Sequence, residues 1–264
     1  MLRPRIIPCL LVRNKGLVKT VKFGESKYVG DPINAVRIFN EKEVDELVVL
    51  DIDATVKKSE PDYEMIKNLA MECRMPMCYG GGVKSVAQAN RIISLGVEKV
   101  ALSSAVIENP ELVADIAAQV GRQSVVAVLD VKKKRWGGHE VFIHNGTMPT
   151  GKCPQELARQ LESQGVGEII LNSIDRDGTM SGYDLELARR VRESVSVPMS
   201  VLGGARSLRD IKTLIDTLGV IGACAGSLFV FKGIYRAVLI NYPSRDEKAT
   251  LLSNGPFSAW SAVA

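Results

Sequence analysis

Leu50-Asp51-Ile52-Asp53-Ala54-Thr55 returns further along the chain as Ile174-Asp175-Arg176-Asp177-Gly178-Thr179. Gly81-Gly82-Val83-Lys84-Ser85 returns as Gly203-Gly204-Ala205-Arg206-Ser207, and Gly96…Ser104 as Gly219…Ser227. The offsets are 124, 122 and 123 residues, in the same order. Self-similarity at one long offset marks a duplicated structural unit. Each copy holds apolar runs that alternate with segments of helical period. The runs are Arg5–Val12, Glu46–Asp53, Met77–Gly82, Lys99–Ser104, Val125–Val131, Glu168–Ile174, Met199–Gly204 and Gly222–Ser227. Most are continuously apolar, as strands covered on both faces must be. The amphipathic stretches include Asp31–Lys42, Asp62–Cys73, Ser85–Leu95, Asn109–Gln119, Cys153–Gln164, Asp184–Val195 and Ser207–Thr217. Eight strands alternating with helices, in two equal halves, predict a single α/β domain: a (β/α)8 TIM barrel with an internal half-barrel repeat. An open doubly wound sheet is the runner-up, but nothing marks the chain reversal that it needs.

The chain has 264 residues, 46% of them apolar, with 34 basic and 30 acidic side chains. That length suits one barrel and requires no second domain. The slight positive balance fits an anionic small ligand. It is too small and too scattered for nucleic acid. No apolar run is long enough to span a membrane. Arg3, Arg5, Pro8 and Arg13 interrupt any signal-peptide core. Five cysteines at irregular spacing (Cys9, Cys73, Cys78, Cys153, Cys224) predict free thiols and a cytoplasmic location. The barrel is expected over residues 1–241, with a hairpin inserted at 132–151 around the Trp136-Gly-Gly and Asn145-Gly turns. Residues 242–264 read as a loose tail.

In this fold the loops after the strands build the site. Gly82 with Ser103 and Ser104 forms one cluster there. Asp177, Gly178, Gly203, Gly204, Gly226 and Ser227 form a second. Glycine lets backbone N–H groups approach an anion, and serine hydroxyls add donors. Two such clusters predict a ligand phosphorylated at both ends; tight strand-to-helix turns are the plainer explanation of the same glycines. Asp130 ends the fifth strand and Asp177 lies just after the sixth, with Asp51 and Asp175 as their neighbours; a carboxylate between two phosphate sites can shuttle protons, while salt-bridging or turn capping is the commoner fate of Asp. Lys19 and Lys22 follow the first strand and are expected to close over an anion as a lid. His139 and His144 lie in the hairpin, and neither a metal site nor any cofactor is predicted.

Arg5, Glu46, Lys99 and Glu168 are the first residues of strands one, two, four and six. Two cations and two anions would alternate around the lower mouth. Such a ring is costly to desolvate, which invites a role beyond stability; the residues alone make it a stability feature, as that face of the barrel usually is.

These residues resemble a known family over Met1–Val238: the cyclase subunit of imidazole glycerol phosphate synthase. The matching motifs include Arg5-Ile-Ile-Pro-Cys-Leu, Gly30-Asp-Pro, Asp45-Glu-Leu-Val-Val-Leu-Asp-Ile and Gly80-Gly-Gly. Further matches are Gly167-Glu-Ile-Ile-Leu-Asn-Ser-Ile-Asp-Arg-Asp-Gly-Thr, Gly182-Tyr-Asp-Leu-Glu and Leu202-Gly-Gly-Ala. The resemblance implies a class I glutaminase subunit docked at the N-terminal face of the barrel. It implies ammonia passing a gate of Arg5, Glu46, Lys99 and Glu168, and a bisphosphorylated ribonucleotide held by Lys19, Gly82, Ser104, Asp177, Gly178, Gly203 and Ser227. Asp130 matches one family carboxylate. Leu11 stands where the family has its other catalytic Asp, and Ser103 replaces an Asn. Leu228–Pro243 and Lys27-Tyr-Val-Gly-Asp-Pro resemble a branch associated with surface-polysaccharide synthesis. That branch implies an ATP-dependent sugar amidotransferase as a further partner. The competing readings are a histidine-pathway cyclase that tolerates Leu11 and a non-catalytic scaffold that activates the glutaminase.

Overall fold

The computed structural model describes residues 3–253. Eight parallel strands close on themselves: β1 (Arg5–Arg13), β2 (Leu47–Asp51), β3 (Met77–Gly80), β4 (Lys99–Leu102), β5 (Val125–Lys133), β6 (Glu168–Ser173), β7 (Met199–Leu202) and β8 (Gly222–Ala225). Each pairs with the next, and β8 returns to β1 with Arg5 opposite Gly222. The (β/α)8 barrel that the repeat predicts is therefore what the chain forms. Six of the strands are shorter than the apolar runs, because the last residues of those runs leave the sheet to build the mouth, whereas β1 and β5 run one and two residues further.

Helices cover the barrel: α1 (Pro32–Glu41), α2 (Tyr63–Glu72), α3 (Val86–Ser94), α4 (Leu112–Val120), α5 (Pro154–Gln164), α6 (Leu185–Arg192), α7 (Leu208–Leu218) and α8 (Arg245–Ser253). Local chemistry fixes their starts. Asp31, Asp62, Ser85 and Asp184 each accept a backbone N–H from the first turn of the helix they cap. At α7 the Asp210 carboxylate accepts the Ser207 N–H at 3.1 Å. The apolar stripe of each helix faces the strands, so the main core is the shell between helices and barrel. A second, smaller apolar cluster fills the barrel axis, with Ile7, Cys9, Val48, Cys78, Ala101, Val128, Ile170 and Cys224 among its members. All five cysteines are free, and Cys9, Cys78 and Cys224 are buried.

Residues 242–253 correct the expected domain boundary. Tyr242 is half-buried, packs against Phe229 at 5.3 Å between ring centroids, and donates its hydroxyl to the Ile6 carbonyl at 2.8 Å. Lys248 pairs with Asp45 at 3.0 Å, and Leu251 joins the core. The eighth helix is thus supplied by what composition marked as tail. Its moderate polarity hid a single buried ridge. Residues 254–264 of that tail lie outside the described residues.

Residues 132–151 fold back on the barrel. β5 continues upward and pairs antiparallel with His139–Ile143, which pairs in turn with Met148–Pro149. The segment after β1 likewise turns back, as Gly16–Lys19 paired with Leu11–Arg13. Among the described residues, no helix is long and apolar enough to cross a membrane.

Candidate functional site

A cavity opens on the barrel axis at the C-terminal ends of the strands, and all eight strands contribute to its wall. It gathers Lys19, Gly82, Ser103, Ser104, Asp130, Asp177, Gly178, Gly203, Gly204, Gly226 and Ser227. Sequence positions up to 208 residues apart are therefore brought together by barrel closure. Lys22 is exposed and absent from the wall.

Asp130 is buried on the inner face of β5. Its carboxylate accepts Asn172 Nδ2 at 2.9 Å and Ser103 Oγ at 3.1 Å. Burial pushes this carboxyl up to about 6, against the pull of those two donors. A carboxyl poised near neutrality can take or give a proton at physiological pH. Ser103 thus directs its hydroxyl at Asp130. Ser103 stays in the cavity wall beside Ser104 while it makes this bond.

Lys19 lies in the cavity wall. It ends the short returning strand and is buried in the wall, with Nζ donating to the Cys9 carbonyl at 2.7 Å. Burial lowers its pKa, against the pull of Asp177. A Cβ at Gly226 would come within 2.5 Å of that Nζ. Asp177 accepts Thr20 Oγ1 at 2.8 Å and the Phe23 N–H at 3.4 Å, so it fastens the loop after β1 across the mouth. Burial raises the Asp177 pKa despite these donors. Gly178 has φ +66°, and a Cβ there would strike the Thr20 carbonyl. On the other side of the mouth the hairpin is latched down: His144 N–H donates to Ser104 Oγ at 3.0 Å, and Asn145 Nδ2 to the Ile52 carbonyl at 2.5 Å.

Leu11 reaches the same cavity. β1 and β5 stand four strands apart around an eight-strand ring, so Leu11 and Asp130 face each other across the axis. The remaining strand-end acids do local work. Asp51 accepts two backbone N–H groups in its own turn, and Asp175 accepts the Lys133 N–H at 2.7 Å.

At the opposite end Arg5, Glu46, Lys99 and Glu168 meet. Arg5 pairs with Glu46 and, at 2.7 Å, with Glu168. Lys99 pairs with Glu46 at 2.7 Å and Glu168 at 2.8 Å. The ring is closed and alternating. Burial raises the Glu168 pKa, but Arg5 and Lys99 outweigh it and hold the carboxyl at about 2. Ser200 Oγ donates a further bond to Glu168 at 2.7 Å.

The residues that sequence reading missed are Asn172, Thr20 and Asn145. Asn172 carried a usable signal, because an amide inside an otherwise apolar strand needs a buried partner. Thr20 and Asn145 carried none, since their partners are fixed only by how two loops fold over the mouth.

Fold and site together define a (β/α)8 barrel protein with glycine-rich, hydroxyl-bearing loops at its mouth and a charged ring at its floor. A family model described as "Histidine biosynthesis protein" matches residues 5–235. The chain belongs to this family, and within it to the imidazole glycerol phosphate synthase subunit HisF type. A relative from Leptospira interrogans, provisionally named as that subunit, is 58% identical over 95% of this chain and 99% of its own. A provisionally named hisF2 protein from Pseudomonas aeruginosa is 55% identical over 92% of this chain and 97% of its own. A protein from Alkaliphilus metalliredigens, named HisF without qualification, is 38% identical over 89% and 93%.

Proposed function

We propose that the protein is the ammonia-accepting, cyclase-type subunit of a cytoplasmic glutamine-dependent complex. We assign it to a paralogous branch that serves sugar amidation in surface polysaccharide (O-antigen) synthesis. A class I glutaminase would dock at the N-terminal face, and ammonia would enter through the ring of Arg5, Glu46, Lys99 and Glu168. Lys19, Gly82, Ser104 and the Gly178, Gly203, Gly204, Gly226 and Ser227 cradle would hold a phosphorylated ligand. An ATP-dependent sugar amidotransferase would be the further partner.

The observation that carries this reading is Leu11 facing Asp130 across the cavity. Ring closure by two opposed carboxylates loses one proton carrier when a leucine takes its place. The names of the relatives support the same division: those at 55–58% identity carry provisional names, two of them numbered hisF2 and hisF3, while those at 38–39% are named HisF outright. The test is steady-state turnover of the family's bisphosphate substrate with ammonium as nitrogen source. Wild type is expected to turn over at least about 100-fold more slowly than a carboxylate-bearing relative. Robust turnover would instead establish the second reading, a histidine-pathway cyclase, which two intact anion cradles favour. The scaffold reading fails if Asp130→Asn abolishes product while the glutaminase still docks.

A further inference from the structure

Two turns project from the mouth end of the barrel. In the first, β5 runs on to Lys133 and pairs antiparallel with His139–Ile143, which leaves residues 134–138 as a tip. In the second, Phe231–Lys232 pairs antiparallel with Ala237–Val238 around residues 233–236. Both rest on the loop after β6. The Lys133 N–H donates to Asp175 at 2.7 Å, and Arg236 Nη2 donates to the Gly178 carbonyl at 3.4 Å. Asp175 and Gly178 share that short loop, so the two turns belong to one face of the molecule. Gly178 lines the cavity, which puts that face at the mouth. At Gly137, Gly138 and Gly233 an added Cβ would meet nothing within 4 Å, so the tips reach into open space.

The tips carry large apolar side chains. Trp136 is 92% exposed, Ile234 88% and Tyr235 91%. A single exposed apolar residue is ordinary, but three at the tips of two turns on one face mark an interaction surface. Cations accompany them. Lys132, Lys133, Lys134 and Arg135 run directly into Trp136, and Lys232 and Arg236 flank Ile234 and Tyr235. Arg135 lies 5.6 Å from the centroid of the Trp136 ring. No acid occurs in residues 132–138 or 228–239. Glu140, just beyond the first tip, stands 4.0 Å from Lys134. The loop after β1 extends the face, with Lys27 at 6.0 Å from the Phe231 ring and Tyr28 exposed beside it.

Aromatic rings beside lysine and arginine suit a surface that is anionic outside and apolar beneath. A bilayer with anionic headgroups is such a surface. Tryptophan and tyrosine settle at headgroup depth there, and cations stay among the lipid phosphates. A protein partner is held by anchors gathered at the centre of one well-packed patch. Here the anchors are divided between two projecting turns, each with its own cations, and a fluid interface asks no shape complementarity of them. We propose that these turns dock the mouth end of the barrel reversibly on an anionic lipid surface. Trp136, Ile234 and Tyr235 enter the headgroup region, and Lys133, Arg135 and Lys232 meet the phosphates. The contact is peripheral, with no segment spanning the bilayer. It stands apart from the ammonia route proposed above and does not depend on it.

The experiment uses the full chain carrying Trp260→Phe, which leaves Trp136 as its one tryptophan. Vesicles of phosphatidylglycerol and phosphatidylethanolamine are compared with vesicles of phosphatidylcholine alone, by sedimentation and by fluorescence. The protein is expected to sediment with the anionic vesicles at about 0.1 M salt and to be released at about 1 M. Trp136 emission is expected to shift to the blue and to be quenched by brominated acyl chains. Two double variants, Trp136→Ser with Ile234→Ser and Lys133→Glu with Arg135→Glu, are expected to weaken sedimentation about tenfold or more. All four positions are exposed and lie outside the cavity wall. Lys67→Glu with Arg159→Glu makes the same charge change at exposed positions of α2 and α5 and is expected to leave binding nearly unchanged. The proposal is overturned if phosphatidylcholine vesicles bind equally, if Trp136 is not quenched, or if the helix variant loses as much binding as the tip variant. It is overturned equally if anionic vesicles fail to bind while poly-glutamate, standing for an acidic protein face, shifts the Trp136 emission. Should a double variant misfold, the quenching of Trp136 in the otherwise unaltered chain still decides.

Discussion

Asp130 is a carboxyl kept where ionisation is costly. Its pKa is pushed from 3.8 to about 6 in the folded chain. The sign follows from linkage: a folded pKa above the unfolded one favours folding below the unfolded value, and this gain is lost as pH rises through the folded value. At pH 8 the ionised group therefore costs stability on the order of 3 kcal/mol. Asp130→Asn should be more stable than wild type by up to about that amount at pH 8, and little different near pH 3.5. Denaturant unfolding at the two pH values measures this. The same variant should lose about 100-fold or more in product formation, the usual worth of a positioned proton carrier. Gain of stability with loss of activity would mark the residue as held for chemistry. Asp130 was legible because acids at strand ends in this fold face the mouth. Its orientation by Ser103 and Asn172 was not, because those partners lie 27 and 42 residues away and meet it only through strand register.

Strand starts and loop closures are the next scale. The floor ring joins the first residue of β1, β4 and β6 with the residue before β2. Removing one member strands a buried opposite charge, so Lys99→Met should cost roughly 3–5 kcal/mol by denaturant unfolding. Glu168 is depressed to about 2, so its share of stability is present above about 4.5 and is lost as pH falls through 2. At the other end, Gly178→Ala should push the Thr20 carbonyl away and free the loop that Asp177 fastens. At least a tenfold loss of affinity for a phosphorylated ligand, read by titration calorimetry, is the expected result, with unfolding shifted by only 1–2 kcal/mol. The ring was legible as four charges at four strand beginnings. The burial of Lys19 was not, because the chain reverses immediately after β1, and that reversal has no strong turn signature in Val12-Arg13-Asn14-Lys15-Gly16.

At the scale of the molecule, cutting the chain after 241 should remove α8, expose the ridge containing Leu251 and break the Lys248–Asp45 pair. Truncation is expected to yield an aggregating barrel, while Tyr242→Phe should cost only about 1–2 kcal/mol for the unpaired Ile6 carbonyl. Light scattering and thermal unfolding separate the two. In the glutaminase complex, Glu46→Gln and Lys99→Met should raise the glutamine consumed per product without changing activity supported by added ammonium. Duplication made the barrel legible from three short motifs, since strands one to four and five to eight repeat one pattern. It concealed α8, because the final helix has no partner in the repeat that stands out by composition. Closure has one further consequence. Of the barrel strands β1 is synthesised before the rest and β8 after them, and the seam between them joins Arg5 to Gly222. Throughout synthesis the nascent sheet therefore carries bare edges, each a template for pairing with another chain. Because the halves are alike, the first half of one molecule can mate with the second half of another. Slowing translation before residue 168 should accordingly favour half-swapped dimers over monomers.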